Sequence, residues 1–110
     1  MSQPDPTAML RVAGQRPIMA LLELLGRRWT LRVLWELRDG PLTSRALRAA
    51  AGGLAPSVLQ ARVNELRGAQ LLELGADGYG LTPLGRELLE VFTPIYLFAD
   101  RWAEAMPRDS

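Results

Sequence analysis

Cysteine, histidine and lysine are all absent from the 110 residues. Without cysteine there is no disulfide framework, no thiol switch and no cysteine-ligated metal. Without histidine the chain lacks the commonest metal ligand and the commonest acid/base group near neutral pH. No glycine-rich phosphate loop follows a strand, and no carboxylate cluster has metal-ligand spacing. Glu87 and Glu90 share a helix face, the ordinary arrangement of a solvated pair on a surface helix. The expectation is therefore a protein that is not an enzyme and holds neither a metal nor a cofactor. No N-terminal signal pattern is visible and no apolar run is long enough to span a bilayer, so a cytoplasmic protein without a membrane partner is expected.

All thirteen basic residues are arginine. Codon usage in a GC-rich genome accounts for this simply, yet arginine also suits bidentate contact with phosphate and guanine. The formal net charge is only +1, but it is unevenly spread. Residues 1–72 carry a balance of +5, and residues 73–110 a balance of −4. A basic front and an acidic rear suit a protein that turns one face toward a polyanion.

At this length the chain is expected to form one domain over residues 16–106, preceded by a flexible tail, "MSQPDPTAMLRVAGQ", over residues 1–15. "PIMALLELLG" reads as a short helix begun by Pro17 and stopped at Gly26, greasy on nearly all sides and so in need of partners on nearly all sides. "RRWTLRVLWELRDGP" reads as a second helix, ended by Asp39-Gly40-Pro41. "LTSRALRAAAGG" follows as a helix capped by Thr43 and stopped by Gly52-Gly53. With the helix expected over about 56–69, it makes a helix-turn-helix. Alternating Leu72, Leu74, Tyr79 and Leu81 around "GADG" predict a hairpin over about 71–81. Thr82 and Pro83 open a long helix over about 83–105, with Leu84, Leu88, Phe92, Ile95, Ala99, Trp102 and Met106 on one stripe. Pro94 is expected to kink or interrupt it. Such a helix is about 35 Å long, more than a body of roughly 30 Å can cover. A second copy of the chain is the simplest cover for its far half.

In the helix over about 56–69, Val58, Leu59, Val63 and Leu66 fall within an arc of about 140° and form the core face. Ser57, Gln60, Ala61, Asn64 and Arg67 face the other way, where a DNA groove would meet them. Asn64 and Gln60 can each offer the donor and acceptor pair that adenine requires, Ser57 can reach a base or a phosphate, and Arg67 suits a phosphate. Each also reads as ordinary solvated surface. Ser44, Arg45 and Arg48 on the preceding helix are placed to meet the duplex backbone. Arg62 lies within the apolar arc, so its stem is expected to pack and its head to snorkel to solvent or pair with an acid. Arg27 and Arg28 read equally as phosphate contacts and as solubilising charges.

"LLELLGRRWTLRVLWELRDGP", "LAPSVLQARVNELRGAQLL" and "YGLTPLGREL" together resemble the HxlR-type winged-helix transcriptional regulators of the MarR-like group, in unbroken order over about residues 17–102. The resemblance implies a mainly α winged helix-turn-helix with a small β-hairpin wing and a long C-terminal helix used for dimerisation. It implies a bacterial regulator that binds double-stranded DNA as a homodimer on a pseudo-palindromic operator. The dimer would join through the first and last helices, for which Met19, Leu22, Phe92, Ile95, Tyr96, Ala99 and Trp102 are the candidates. Regulators of this kind often sense a small molecule, and Trp29, Trp35 and Trp102 could line its pocket or simply pack. The chain departs from the family pattern in three places. Arg16 stands near a position where many members carry a cysteine, the short wing holds Glu73 and Asp77 with no basic residue, and Ala55 and Ser57 replace a capping Ser and a Lys. The alternative is a winged helix that has lost DNA binding and serves as a dimerising or small-molecule-binding module. "GYGLTPLGREL" has a looser similarity to the dimerisation domains of small-molecule O-methyltransferases, which share that shape.

Overall fold

The computed structural model describes residues 16–107, so the expected tail over 1–15 lies outside the described residues. Five helices and one hairpin follow in the order α1 (Pro17–Leu25), α2 (Thr30–Glu36), α3 (Ser44–Ala50), α4 (Pro56–Gly68), β1 (Leu72–Gly75), β2 (Gly78–Leu81) and α5 (Pro83–Ala105). This is a winged helix-turn-helix. Leucine dominates its core: Val33 and Leu34 from α2, Leu37 just after it, Leu47 from α3, and Val63 and Leu66 from α4 are fully excluded from solvent. The hairpin and the first turns of α5 close that core with Leu72, Tyr79, Leu81, Leu88 and Leu89.

Helix α2 is shorter than the apolar spacing suggests. Its first residue is Thr30, because Trp29 adopts left-handed backbone angles, φ 78 and ψ −11. A bulky residue there is uncommon and costs on the order of 1–3 kcal/mol. The half-buried indole packs against the core, and the Arg28 guanidinium lies 4.9 Å from its ring centre. The helix starts where that packing, not local propensity, allows it.

The turn between α3 and α4 needs both of its glycines. Gly52 and Gly53 have φ of 95 and 81, with open space where a side chain would stand, so conformation rather than crowding selects them. The Thr43 hydroxyl accepts from the Ala46 amide at 3.2 Å and caps α3. Helix α4 begins with Pro56 and has no side-chain cap, its N-cap residue being Ala55.

The wing is a two-stranded antiparallel hairpin in which Gly75 faces Gly78 across the Ala76-Asp77 turn. Leu42 extends it through an isolated bridge to Tyr79, each amide donating to the other's carbonyl at 2.9 Å. That third segment is a single residue between Pro41 and Thr43, too short to show a period. Gly78 sits at φ 115, and a Cβ there would run into the Leu42 carbonyl. The wing is thus tied directly to the residue preceding the α3 cap.

Thr82 joins the wing to α5 in two directions. Its hydroxyl accepts from the Gly85 amide at 3.0 Å and donates to the Gln70 carbonyl at 2.7 Å. Helix α5 then runs unbroken through Pro94, contrary to an interruption there. Pro94 removes one backbone donor, that to Glu90, but Glu90 is exposed and its carbonyl can be hydrated. Only Gly85, Leu88 and Leu89 of this helix are buried. Past them, Tyr96 ties α5 to α2: its ring lies 4.7 Å from Trp35 and 5.6 Å from Phe92, and burial pushes its phenol pKa up.

Candidate nucleic-acid interface

Helix α4 separates its two faces as a reading helix must. Leu59, Val63 and Leu66 are buried and Val58 is half-buried, which anchors the inner side to α2 and to the start of the wing. Ser57, Gln60 and Asn64 are exposed on the outer side, with Ala61 and Arg67 partly so. The Gln60 and Asn64 side chains are joined to each other, Gln60 Nε2 donating to Asn64 Oδ1 at 2.9 Å.

The arginines near this face divide by what already holds them. Arg48 donates from Nε to the Leu54 carbonyl at 2.9 Å, so it braces the turn of the helix-turn-helix while its remaining guanidinium donors point elsewhere. Arg62 lies 3.2 Å from Glu65 and donates to the Arg28 carbonyl at 3.3 Å, the acid-paired arrangement expected of it. Glu65 also takes Arg27, at 3.3 Å, which uses that cation within the fold. The Arg62–Glu65 spacing is visible in the sequence, but Arg27 is 38 residues from Glu65 and gives no local sign. Arg45 and Arg67 form no ion pair with any described residue. Arg45 stands beside Ser44 and Arg67 on the outer face of α4, and Arg86 and Arg101 on α5 are likewise outside these ion pairs, so the unpaired positive charge is not confined to this face. On the wing, Glu73 and Asp77 are exposed, and no basic residue offsets them within the hairpin.

A second surface is apolar. Leu84, Val91, Ile95, Phe98 and Trp102 are each half or more exposed, and at about 100° per residue they share an arc of about 60° on α5. Ile18, Met19 and Leu22 of α1 are similarly exposed. Of the remaining interface candidates, Ala99 is exposed, whereas Phe92 and Tyr96 are half-buried against the body. Val91, Phe98 and Ile18 belong to this apolar surface and were not among those candidates. Their exposure depends on which side of α5 the core covers, and that is not a local property.

Between α1 and the start of α5 runs an apolar groove of about 410 Å³ lined by Leu21, Leu24, Leu71, Leu84, Leu88 and Val91. None of Trp29, Trp35 and Trp102 lines it, so a cavity walled by tryptophan is not what the fold makes there. Trp35 packs against Tyr96 in a tilted arrangement and also carries the Arg38 guanidinium, which lies 4.4 Å from its ring centre, and Trp102 stands on the exposed stripe. No helix among the described residues is long and apolar enough to cross a membrane.

A sequence model described as HxlR-like helix-turn-helix matches residues 24–107. An uncharacterized HTH-type transcriptional regulator of Methanocaldococcus jannaschii is 26% identical over 91 residues, covering 79% of this chain and 86% of its own length. The quinone-bound YodB from B. subtilis has a similar structure, with a TM-score of 0.72 and 27% identity over 76% of this chain and 96% of that one. The reduced form of the same transcriptional regulator gives 0.72 and 26%, covering 84% and 99%. A possible HxlR family transcriptional factor from Thermoplasma volcanium shares the fold at a TM-score of 0.71 and 21% identity, over 82% of this chain and 87% of that one.

Proposed function

Because the chain belongs to the HxlR-like helix-turn-helix family of transcriptional regulators, we propose that it binds double-stranded DNA sequence-specifically, as a homodimer on a pseudo-palindromic operator. The observation that carries this reading is the outer face of α4, where Ser57, Gln60 and Asn64 stand exposed with no large apolar side chain among them. A helix so presented after a tight turn can enter the major groove, with amides meeting base edges and Arg67 meeting phosphate. Ser44, Arg45 and the free guanidinium donors of Arg48 would hold the backbone beside it.

Dimerisation through α1 and α5 is supported by the apolar stripe Leu84, Val91, Ile95, Phe98 and Trp102, together with Met19 and Leu22. Exposed apolar surface so contiguous calls for a partner, and a symmetric copy supplies one. Two copies place four unpaired arginines, Arg45 and Arg67 of each, toward DNA. At roughly 0.9 per neutralised phosphate, those four alone give a salt slope near −3.6. The groove between α1 and α5 has the size and apolar lining of a small-molecule site, which supports a regulator that responds to an effector, acting in the cytoplasm where its DNA would be.

A second reading, a dimerising or ligand-binding winged helix without DNA binding, is favoured by the uncapped start of α4 and the acidic wing. Electrophoretic mobility of a short duplex from the gene's own upstream region separates the two. A shift at low salt that weakens as salt is raised supports the first reading, and no shift at any protein concentration supports the second.

A further inference from the structure

The apolar stripe on α5 maps onto itself when the helix is turned end for end. Its members are Leu84, Val91, Ile95, Phe98 and Trp102, and its midpoint is at the level of Thr93. Reversal about that level sends Trp102 to the level of Leu84, Phe98 to that of Leu88 and Ile95 to that of Val91. Leu84, Leu88 and Val91 are also the α5 wall of the apolar groove that α1 closes on its other side. The rest of the stripe, Ile95, Phe98 and Trp102, stands half exposed and does not line that groove.

We infer that the groove is filled by a second copy of the chain, whose α5 lies antiparallel to the first and seats Trp102 of the partner subunit between α1 and α5. This seating rests on the dimer proposed above and adds its orientation, its register and the side chain that enters the groove. In a two-fold dimer, a residue i that meets j is matched by j meeting i. An antiparallel pair of α5 helices meets that condition along the whole stripe. The partner's Trp102 faces Leu84, the partner's Phe98 faces Leu88 and the partner's Ile95 faces Val91, and the same contacts recur across the axis. A parallel pair instead sets Trp102 against the partner's Trp102, about 27 Å along the helix from the level of Leu84.

Size and charge agree with this orientation. A cavity of about 150 Å³ is enough to take a benzene ring, so a groove of about 410 Å³ has room for an indole with a phenyl ring beside it. The lining is apolar except for Glu87. Glu87 lies on one flank of the stripe, about 40° around the helix from Arg101. Both side chains are exposed, and neither is in an ion pair with a described residue. A two-fold axis that turns the helix end for end keeps each flank facing the same flank of the partner. It puts the partner's Arg101 at the level of Gly85, about 3 Å along the axis from Glu87. In a parallel pair opposite flanks meet, and the two charges stand about 21 Å apart along the helices. Occupancy of the groove and dimerisation are then linked: an effector enters by displacing the partner's indole, and so weakens the dimer.

Because the chain has no cysteine of its own, introduced cysteines read the register directly in the full-length protein. Leu84→Cys and Trp102→Cys in one chain should give an intermolecular disulfide on mild oxidation, since a disulfide forms between Cα atoms up to about 7 Å apart. Neither single variant should cross-link, because like-numbered cysteines of the antiparallel pair stand about 27 Å apart. In sedimentation velocity, Trp102→Ala should weaken the dimer about 10³-fold, two hot-spot side chains at about 30-fold each. Arg101→Glu and Glu87→Arg should each weaken it about 2- to 30-fold, the range of two exposed ion pairs, and the variant carrying both should recover wild-type association. A single-cysteine variant that cross-links with itself overturns the seating. So does a double-cysteine variant that sediments as a dimer but gives no disulfide, a Trp102→Ala variant that associates as wild type, or a charge swap that recovers nothing. A wild type that sediments as a monomer at every concentration instead overturns the dimer beneath it, a result distinct from these.

Discussion

Replacing Gly85 by alanine should destabilise the protein, although alanine is ordinarily the better helix former. Gly85 occupies the first turns of α5, where helix propensity alone favours Gly→Ala by about 1 kcal/mol. Its φ is unremarkable, so there is no conformational objection to a side chain. The obstacle is space: a Cβ at Gly85 would overlap the Leu71 carbonyl, which is backbone and cannot rotate aside. That carbonyl accepts from the Thr82 amide at 3.2 Å, and the Gly85 amide donates to the Thr82 hydroxyl at 3.0 Å. Any shift that makes room therefore loosens the junction between wing and α5. Overpacking costs about 1–3 kcal/mol, and a rigid obstacle puts this site near the upper end. Set against the propensity gain of about 1 kcal/mol, the net loss is about 2 kcal/mol. For a domain of this size that lowers Tm by about 8–16 °C. Thermal unfolding followed by circular dichroism, at one fixed protomer concentration, measures it. A Gly85→Ala variant that melts at or above wild type would refute the close approach and the sign drawn from it.

Three further perturbations test the surfaces. Phe98→Glu should abolish the proposed dimer in sedimentation velocity with the fold retained, whereas Leu97→Glu, also exposed but about 100° further round α5, should leave association as in wild type; identical behaviour of the two would mean that the stripe is not an interface. Arg67→Ala should weaken DNA binding on every sequence and lower the salt slope by about 1, whereas Asn64→Ala should relax preference at particular base pairs; equal losses on operator and random DNA for both variants would contradict that division. Burial raises the Tyr96 pKa, so its contribution to stability is fully present below the ordinary phenol value of about 10 and is lost as pH rises through the folded value. Wild type should accordingly lose more Tm than Tyr96→Phe as pH is raised above about 10, and parallel losses would remove Tyr96 as the cause.

Much of this architecture is legible in the residues. Proline at Pro17, Pro56 and Pro83, threonine caps at Thr43 and Thr82, and the paired Gly52-Gly53 mark element ends by local chemistry, and the elements begin and end close to them. What escapes is what tertiary contact decides. Trp29 reads as a helical residue by spacing but stands in left-handed conformation, because its indole is drawn into the core. Leu42 joins the wing through one residue pair, below the length at which alternation exists. On α5 the apolar residues cover more than one face, so the period cannot tell which part the body covers. The contacts of Leu88, Leu89, Phe92 and Tyr96 leave the stripe from Leu84 to Trp102 outside, rotated from the one drawn through Leu88 and Phe92. The arginines divide in the same way. Arg48 and Arg27 are engaged by Leu54 and Glu65, and the second of these contacts is long-range, so counting charges overstates the cation available to a polyanion.

Whether the outer face of α4 reads sequence is decided by the ratio of two affinities. Binding of the full-length protein to its own upstream intergenic fragment, and to a shuffled fragment of equal length and composition, should be measured by fluorescence anisotropy at about 150 mM salt. A reading face gives a preference of at least about 10³-fold for the upstream fragment, the lower bound for a specific regulator. Equal affinity for the two fragments, or no binding to either, would contradict it.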